Sequence, residues 1–373
     1  MFEITNLRDG AILNRHHGTE TPDYLEITVE GIADTQAEVT VNGQAVRRRD
    51  RNFSAKVRLT ERINKITAES SDYYGVRTLT LTVMWDKASF KRYNFFFDDN
   101  SFFWTEIVKK RPASLFDQFY LAFLRRMHER YGTKFTLNLF YRNDHDFCEL
   151  KSVPDCYKGE FRDNADWLRL SWHAYSEFPD RPYQNAPAEK VAADYDLIRE
   201  EVCRFAGEAS FIPPVAAHWS MVRPDGMAEL VKRGVRVMVA QFLNPKTSLA
   251  EKQAEAHLCD INYFVNLREC LYLARKKMLY DFAEKVLFLK GTLICNYWTP
   301  EQIVKIIDEE SSQAGFTDIL SLETHEQYTF PHYFNYLPDH MERVESAIRR
   351  ATELGYAPVW FAEGFLGNPA WER

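Results

Sequence analysis

The sequence predicts a multidomain chain: an N-terminal all-β sandwich over residues 1–86, then a C-terminal α/β distorted (β/α) barrel over residues 87–373. Three observations predict it. Before residue 87 apolar residues recur with period two, and after it short apolar runs alternate with helix-period segments. One of those runs, Arg92-Tyr93-Asn94-Phe95-Phe96-Phe97-Asp98-Asp99-Asn100, ends in two adjacent carboxylates, which repel unless a cation or a proton settles them.

In the N-terminal part, Leu25, Ile27 and Val29 alternate with polar neighbours, as do Phe53, Ala55, Val57 and Leu59, and Leu79, Leu81 and Val83. This pattern gives strands with one buried face. Asn42-Gly43 between Val41 and Val46 predicts a two-residue hairpin. The basic run Arg47-Arg48-Arg49-Asp50-Arg51 reads as a solvated loop beside it.

In the C-terminal part, Phe95–Phe97 is the first strand, followed by a helix over 114–131 that Gly132 stops. Strands are expected at 134–141, 168–172, 209–217 (broken by Pro213-Pro214), 235–240, 319–322 and 357–361. Helices are expected at 187–205, 225–233, 300–314 (Thr299 as cap, Pro300 first) and 338–354. Residues 142–166 read as a long loop. Residues 245–290 read as an insertion or irregular part of the barrel, with possible strands at Ile261–Val265 and Lys285–Leu289.

A net charge of -7 argues against nucleic acid as a partner. No apolar run reaches the roughly 18 residues of a membrane span. The first residues lack a signal-peptide pattern, which predicts a cytoplasmic protein, or a secreted one if a leader has been removed. The six cysteines show no CxxC and are expected as reduced thiols, mostly in the core. Oligomeric state stays open.

Catalytic groups of such a barrel gather at the C-terminal ends of its strands. Those ends carry Asp98-Asp99, His173 with Glu177, His218, and Glu323 with His325, although the chain holds only 10 histidines. If the chain turns helical after His173, Glu177 points the same way. Imidazole and carboxylate together suit a divalent metal: zinc first, with cobalt, nickel or manganese possible. Near these ends Trp172 and Trp219 could pack on a sugar ring, Arg181 could meet an anionic group, and His332 and Glu323 could touch substrate.

The order strand-Phe97-Asp98-Asp99, His173-x-x-x-Glu177, Pro213-Pro214 and Leu322-x-x-His325 resembles the motifs of the polysaccharide deacetylase family. The resemblance implies a distorted barrel that removes N- or O-acetyl groups from a carbohydrate. It implies Asp98 as general base, Asp99 and His173 as metal ligands, and His325 as general acid. Glu177 stands where the family has a second histidine, and no arginine precedes Pro213. The third ligand is therefore open between Glu177 and His218. Alternatives to hydrolysis are a catalytically inactive carbohydrate-binding protein on the same fold, or a cytoplasmic enzyme of surface-polysaccharide modification. Residues 39–66 resemble bacterial immunoglobulin-like modules attached to carbohydrate-active enzymes, which implies an accessory domain.

Overall fold

The computed structural model describes residues 1–240, 267–313 and 315–372. The N-terminal residues form two five-stranded sheets. In one, Leu25–Ile32 pairs antiparallel with Asn52–Leu59. In the other, Ile63–Asp72 pairs antiparallel with Gly75–Trp85. Leu25, Ile27, Val29, Phe53, Val57 and Leu59 meet Val39, Val41, Ile66, Ala68, Val83 and Trp85 in one apolar cluster, so period two does place one face of each sheet inside. Asn42 and Gly43 turn the expected hairpin with φ of 48° and 73°, the mirror-type turn that suits the twist of the strands.

Two expectations fail here. Arg47–Arg49 is an edge strand paired with Asn52–Ser54, not a loop. Leu79 is only half-buried, because the core reaches no further along this strand than Leu81 and the hairpin projects beyond it to the exposed Tyr73 and Tyr74.

The rest of the chain is α/β and barrel-like. The strand Arg92–Asn100 is buried at every position and lies between two parallel neighbours, Phe135–Phe140 and Ile319–His325. Burial on both faces explains its continuous aromatic run. From Phe135–Phe140 the ring passes to Leu168–Ala174 and then, through a bridge from Leu170 to Phe211, to the Phe211–Val215 segment. The Val239 amide bonds the Val215 carbonyl at 2.6 Å. Val237–Ala240 then runs parallel to Val286–Lys290. The same chain continues into Leu293–Ile294, which pairs with Leu322–Glu323 and closes the circuit.

The expected fourth strand over 209–217 shrinks to that single bridge, since Pro213 and Pro214 have no N–H to give a ladder. Pro358 likewise limits the last strand to Ala357–Pro358. The helix expected over 114–131 is split. Ser114 caps a short turn at Leu115–Asp117, and extended Gln118 caps a separate helix, Phe119–Tyr131. The 142–166 stretch holds a two-strand hairpin and the helix Lys158–Asp163, so it is more than a loop. The other expected helices, observed as Ala188–Phe205, Pro224–Lys232, Pro300–Ser311 and His340–Glu353, lie within a few residues of expectation, and the helix Phe102–Lys110 is not among those expected.

Of the cysteines, Cys295 is buried, Cys148 and Cys203 are half-buried and Cys156 is exposed, so most of those described are not core. Cys259, the Cys270 side chain, His257 and the expected strand at Ile261–Val265 lie outside the described residues. Among the described residues no helix is long and apolar enough to cross a membrane.

One buried ion pair joins the sandwich exit to the central strand. Arg92 and Asp86 are both fully buried and 3.0 Å apart. Arg92 also donates to the carbonyls of Leu366 (2.6 Å) and Phe90 (3.0 Å), and Asn368 donates to Asp86 at 2.9 Å. Removing one partner strands the other charge out of water. Arg92→Met is expected to lower unfolding stability by about 3–5 kcal/mol in denaturant titration. A loss under about 1 kcal/mol would show that Asp86 does not depend on it.

Candidate metal centre

In a regular strand Asp98 and Asp99 would point to opposite faces. They do not, because the register with Phe135–Phe140 shifts between Phe97 and Asn100 and Asp99 adopts φ 61°. Aspartate tolerates this left-handed conformation better than most residues. The resulting bulge turns both carboxylates into one cavity of about 370 Å³ at the strand ends.

Two other segments complete the corner. His173 lies near the end of the strand Leu168–Ala174, and His218 opens the short turn after Ala217. Asp99 Oδ1 is 3.1 Å from His173 Nε2 and 3.3 Å from His218 Nδ1, and the two nitrogens are 3.2 Å apart. For bonds of about 2.0–2.1 Å, a tetrahedral ion needs ligand atoms roughly 3.3–3.4 Å apart. The triangle Asp99–His173–His218 therefore has the size of one face of such a site, with the fourth direction left for water or substrate. A metal fits these donors.

Their orientation fits as well. His218 Nε2 donates to the Glu177 carbonyl at 3.0 Å, which leaves Nδ1 facing the triangle. His173 Nδ1 faces Asp98 Oδ1 at 3.6 Å, which leaves Nε2 for the triangle. The Phe140 ring packs against both imidazoles, with centroids at 5.3 and 4.9 Å. Burial opposes ionisation of Asp99, but the hydrogen bonds from His173 and His218 and the nearby His325 hold its carboxyl well below the usual range. Burial also disfavours the His218 imidazolium, yet Asp99 overrides it and raises the His218 pKa. Both shifts have one cause: this corner stabilises positive charge.

Beside the triangle lie Asp98, Glu323 and His325, whose ligand atoms fall within 4.8 Å of one another. Asn138 donates to Asp98 Oδ1 at 2.6 Å. Asn296 Oδ1 is 3.0 Å from His325 Nδ1 and so accepts its proton, which turns Nε2 toward Asp99 Oδ2 at 4.0 Å. Among the described residues the cavity lining holds five carboxylates, Asp98, Asp99, Glu177, Asp180 and Glu323, and no lysine or arginine, so these groups favour cationic occupants. Trp219, Tyr297 and Tyr328 supply aromatic surface. Trp219 and Ser220 have φ of 60° and 52°, and Arg181 has 50°, so left-handed non-glycine residues gather around this cavity.

Several residues singled out from the sequence lie elsewhere. Glu177 is not in the triangle: the chain does not turn helical after Ala174, and its carboxylate meets His145 at 2.5 Å and Gln327 at 3.0 Å. Its role toward the triangle is through its carbonyl. Trp172 is fully buried against Tyr183 and Tyr195 and does not reach the cavity, because it alternates with inward-facing His173. His332 stacks on Phe102 at 5.0 Å and lines a separate recess. The Arg181 guanidinium lies 4.4 Å over the Trp219 ring at the edge of the site. Sequence reasoning missed Asn138, Asn296, Glu326 and Gln327. The one available signal was an amide, Asn138, in the middle of a mostly apolar buried strand.

No protein-family model matches the chain, and no curated protein matches it. Among solved structures it is similar to a Bacteroides fragilis protein provisionally described as an alpha-galactosidase, at 11% identity, 94% of this chain, 78% of that one and TM-score 0.27. A xyloglucanase from Bacteroides ovatus matches at 9% identity over 95% and 99% of the two chains, with TM-score 0.25. A Paenibacillus chitinase matches at 8% identity over 93% and 43%, with TM-score 0.33. Likenesses this slight carry no argument about activity.

The geometry predicts which third ligand matters. His218→Ala is expected to weaken zinc binding, measured by calorimetry, by more than the roughly 10–100-fold typical of losing an outer partner. Glu177→Gln keeps the carbonyl that orients His218 and is expected to stay within about tenfold of the parent. The reverse ranking would make Glu177 the ligand.

Proposed function

We propose that this protein is a divalent-metal-dependent hydrolase that removes an acetyl group, N- or O-linked, from a carbohydrate. The observation that carries the reading is the Asp99–His173–His218 triangle with Asp98 and His325 beside it in one cavity. Asp99, His173 and His218 would hold the ion, zinc best by their N₂O donor set, with cobalt, nickel or manganese also possible. When bound, such an ion polarises an acyl carbonyl and makes a nearby water more acidic.

The chain's own groups supply the proton transfers. Asp98, held by Asn138, accepts a proton from the attacking water as its oxygen bonds the acyl carbon. His325, oriented by Asn296, delivers a proton from Nε2 to the leaving nitrogen or oxygen as the acyl bond breaks. The products are acetate and a free amine or hydroxyl on the sugar. Trp219, Tyr297 and Tyr328 offer flat apolar faces to a sugar ring. The N-terminal sandwich, by its resemblance to immunoglobulin-like modules, serves as an accessory domain.

Acetate release from acetylated oligosaccharides tests this. Activity is expected with added divalent metal and is lost on chelation. Asp98→Asn and His325→Ala are each expected to lower kcat by about 10²–10⁴ while bound metal is retained. No acetate release with zinc, cobalt, nickel or manganese, together with sugar binding that survives chelator, would establish an inactive carbohydrate-binding protein instead.

A further inference from the structure

We propose that Glu326 is a positioning residue that clamps the Asp98–Asp99 bulge to the strand end carrying His325. This rests on the hydrolase reading for its kinetic consequence, and its structural half stands apart from it. The helix Phe102–Lys110 begins immediately after the bulge, and its cap residue Ser101 makes no side-chain capping bond. The free amides at such an end need acceptors. Glu326 provides them from more than 220 residues away: Oε2 accepts from Ser101 N at 2.7 Å and Phe102 N at 2.8 Å, and Oε1 from Phe103 N at 2.7 Å. The carboxyl is fully buried. Burial pushes it up to about 8, and the three amides pull against that.

The connections are short on both sides. One residue, Asn100, separates Asp99 from the first clamped amide, that of Ser101, and His325 directly precedes Glu326. The spacing between His325 Nε2 and Asp99 Oδ2, 4.0 Å, is thus spanned by one carboxylate and a few backbone bonds. The next residue, Gln327, donates to Glu177 Oε2 at 3.0 Å, so three consecutive side chains hold three parts of the site. Secondary bonds keep the bulge from relaxing locally: Asn100 Nδ2 donates to Phe97 O at 2.6 Å and Tyr120 donates to Asn100 Oδ1 at 3.0 Å. None of these reaches the His325 strand; the parallel ladder does, ending at Asp98 opposite His325, and Glu326 carries that tie past the end of the ladder to the amides of residues 101–103.

The test compares Glu326→Ala and Glu326→Gln with Thr299→Ala, which removes the cap of a helix, Pro300–Ser311, that Glu326 does not cap. Amide hydrogen exchange at residues 101–103 and zinc-dependent acetate release are measured in the full chain. Glu326→Ala is expected to speed exchange at those amides and to lower kcat by about 10–100-fold with KM within twofold. Glu326→Gln, with one acceptor oxygen in place of two, is expected to fall between it and the parent. Thr299→Ala is expected to change neither. Unchanged exchange in Glu326→Ala overturns the clamp, and a kcat loss shared by Thr299→Ala overturns its specificity. If the parent releases no acetate, the hydrolase reading fails, while exchange still decides the clamp.

Discussion

Two adjacent carboxylates buried at the end of an apolar strand are the constraint around which this molecule is arranged. Asp98 and Asp99 are 5% and 7% exposed, and two like charges taken out of water are costly unless partners compensate them. Compensation comes from four separate segments. His173 and His218 hydrogen-bond Asp99, Asn138 hydrogen-bonds Asp98, and His325 faces both. Asn138 stands inside a strand, His173 and His325 near strand ends and His218 just past the broken strand, so the barrel-like ring is what brings them together. The same arrangement that settles the charge makes a corner able to bind a cation.

The fold supplies rigidity by burying the parallel strands on both faces, and it gives up that regularity at the site. The register shift at Asp98–Asp99, the left-handed Trp219 and Ser220, and the prolines that break the strand before His218 are all local departures from an ideal barrel. Each aims a side chain inward. A regular strand through Asp99 would send one carboxylate away from the cavity, and a regular ladder over 213–217 would move His218. Departures of this kind are tolerated where the surrounding packing over-determines them, and here Phe140, Tyr120 and Trp104 do so.

The division into a β sandwich and an α/β barrel-like part was legible because period two and helical spacing are local signals. Most helix positions followed from caps such as Thr299 and stops such as Gly132. The candidate residues Asp98, Asp99, His173, His218, Glu323 and His325 were legible as ionisable groups at strand ends. Their mutual geometry was not. Choosing Glu177 required a helical turn after His173, and whether a chain turns there depends on tertiary packing. Trp172 misled because alternation within a strand decides its side, and only register fixes which side is inward. Asn138, Asn296 and Glu326 act across more than 25 residues of sequence, and apart from the amide of Asn138 inside a buried strand nothing local marks them.

The central claim is that Asp99, His173 and His218 form one face of a metal site. Anomalous X-ray diffraction at the zinc edge, from crystals grown with zinc, tests it most directly. The predicted result is a single peak bonded to Asp99 Oδ1, His173 Nε2 and His218 Nδ1, with the Glu177 carboxylate outside bonding distance. A peak held by Glu177 in place of His218, or no peak at these three atoms, would contradict it.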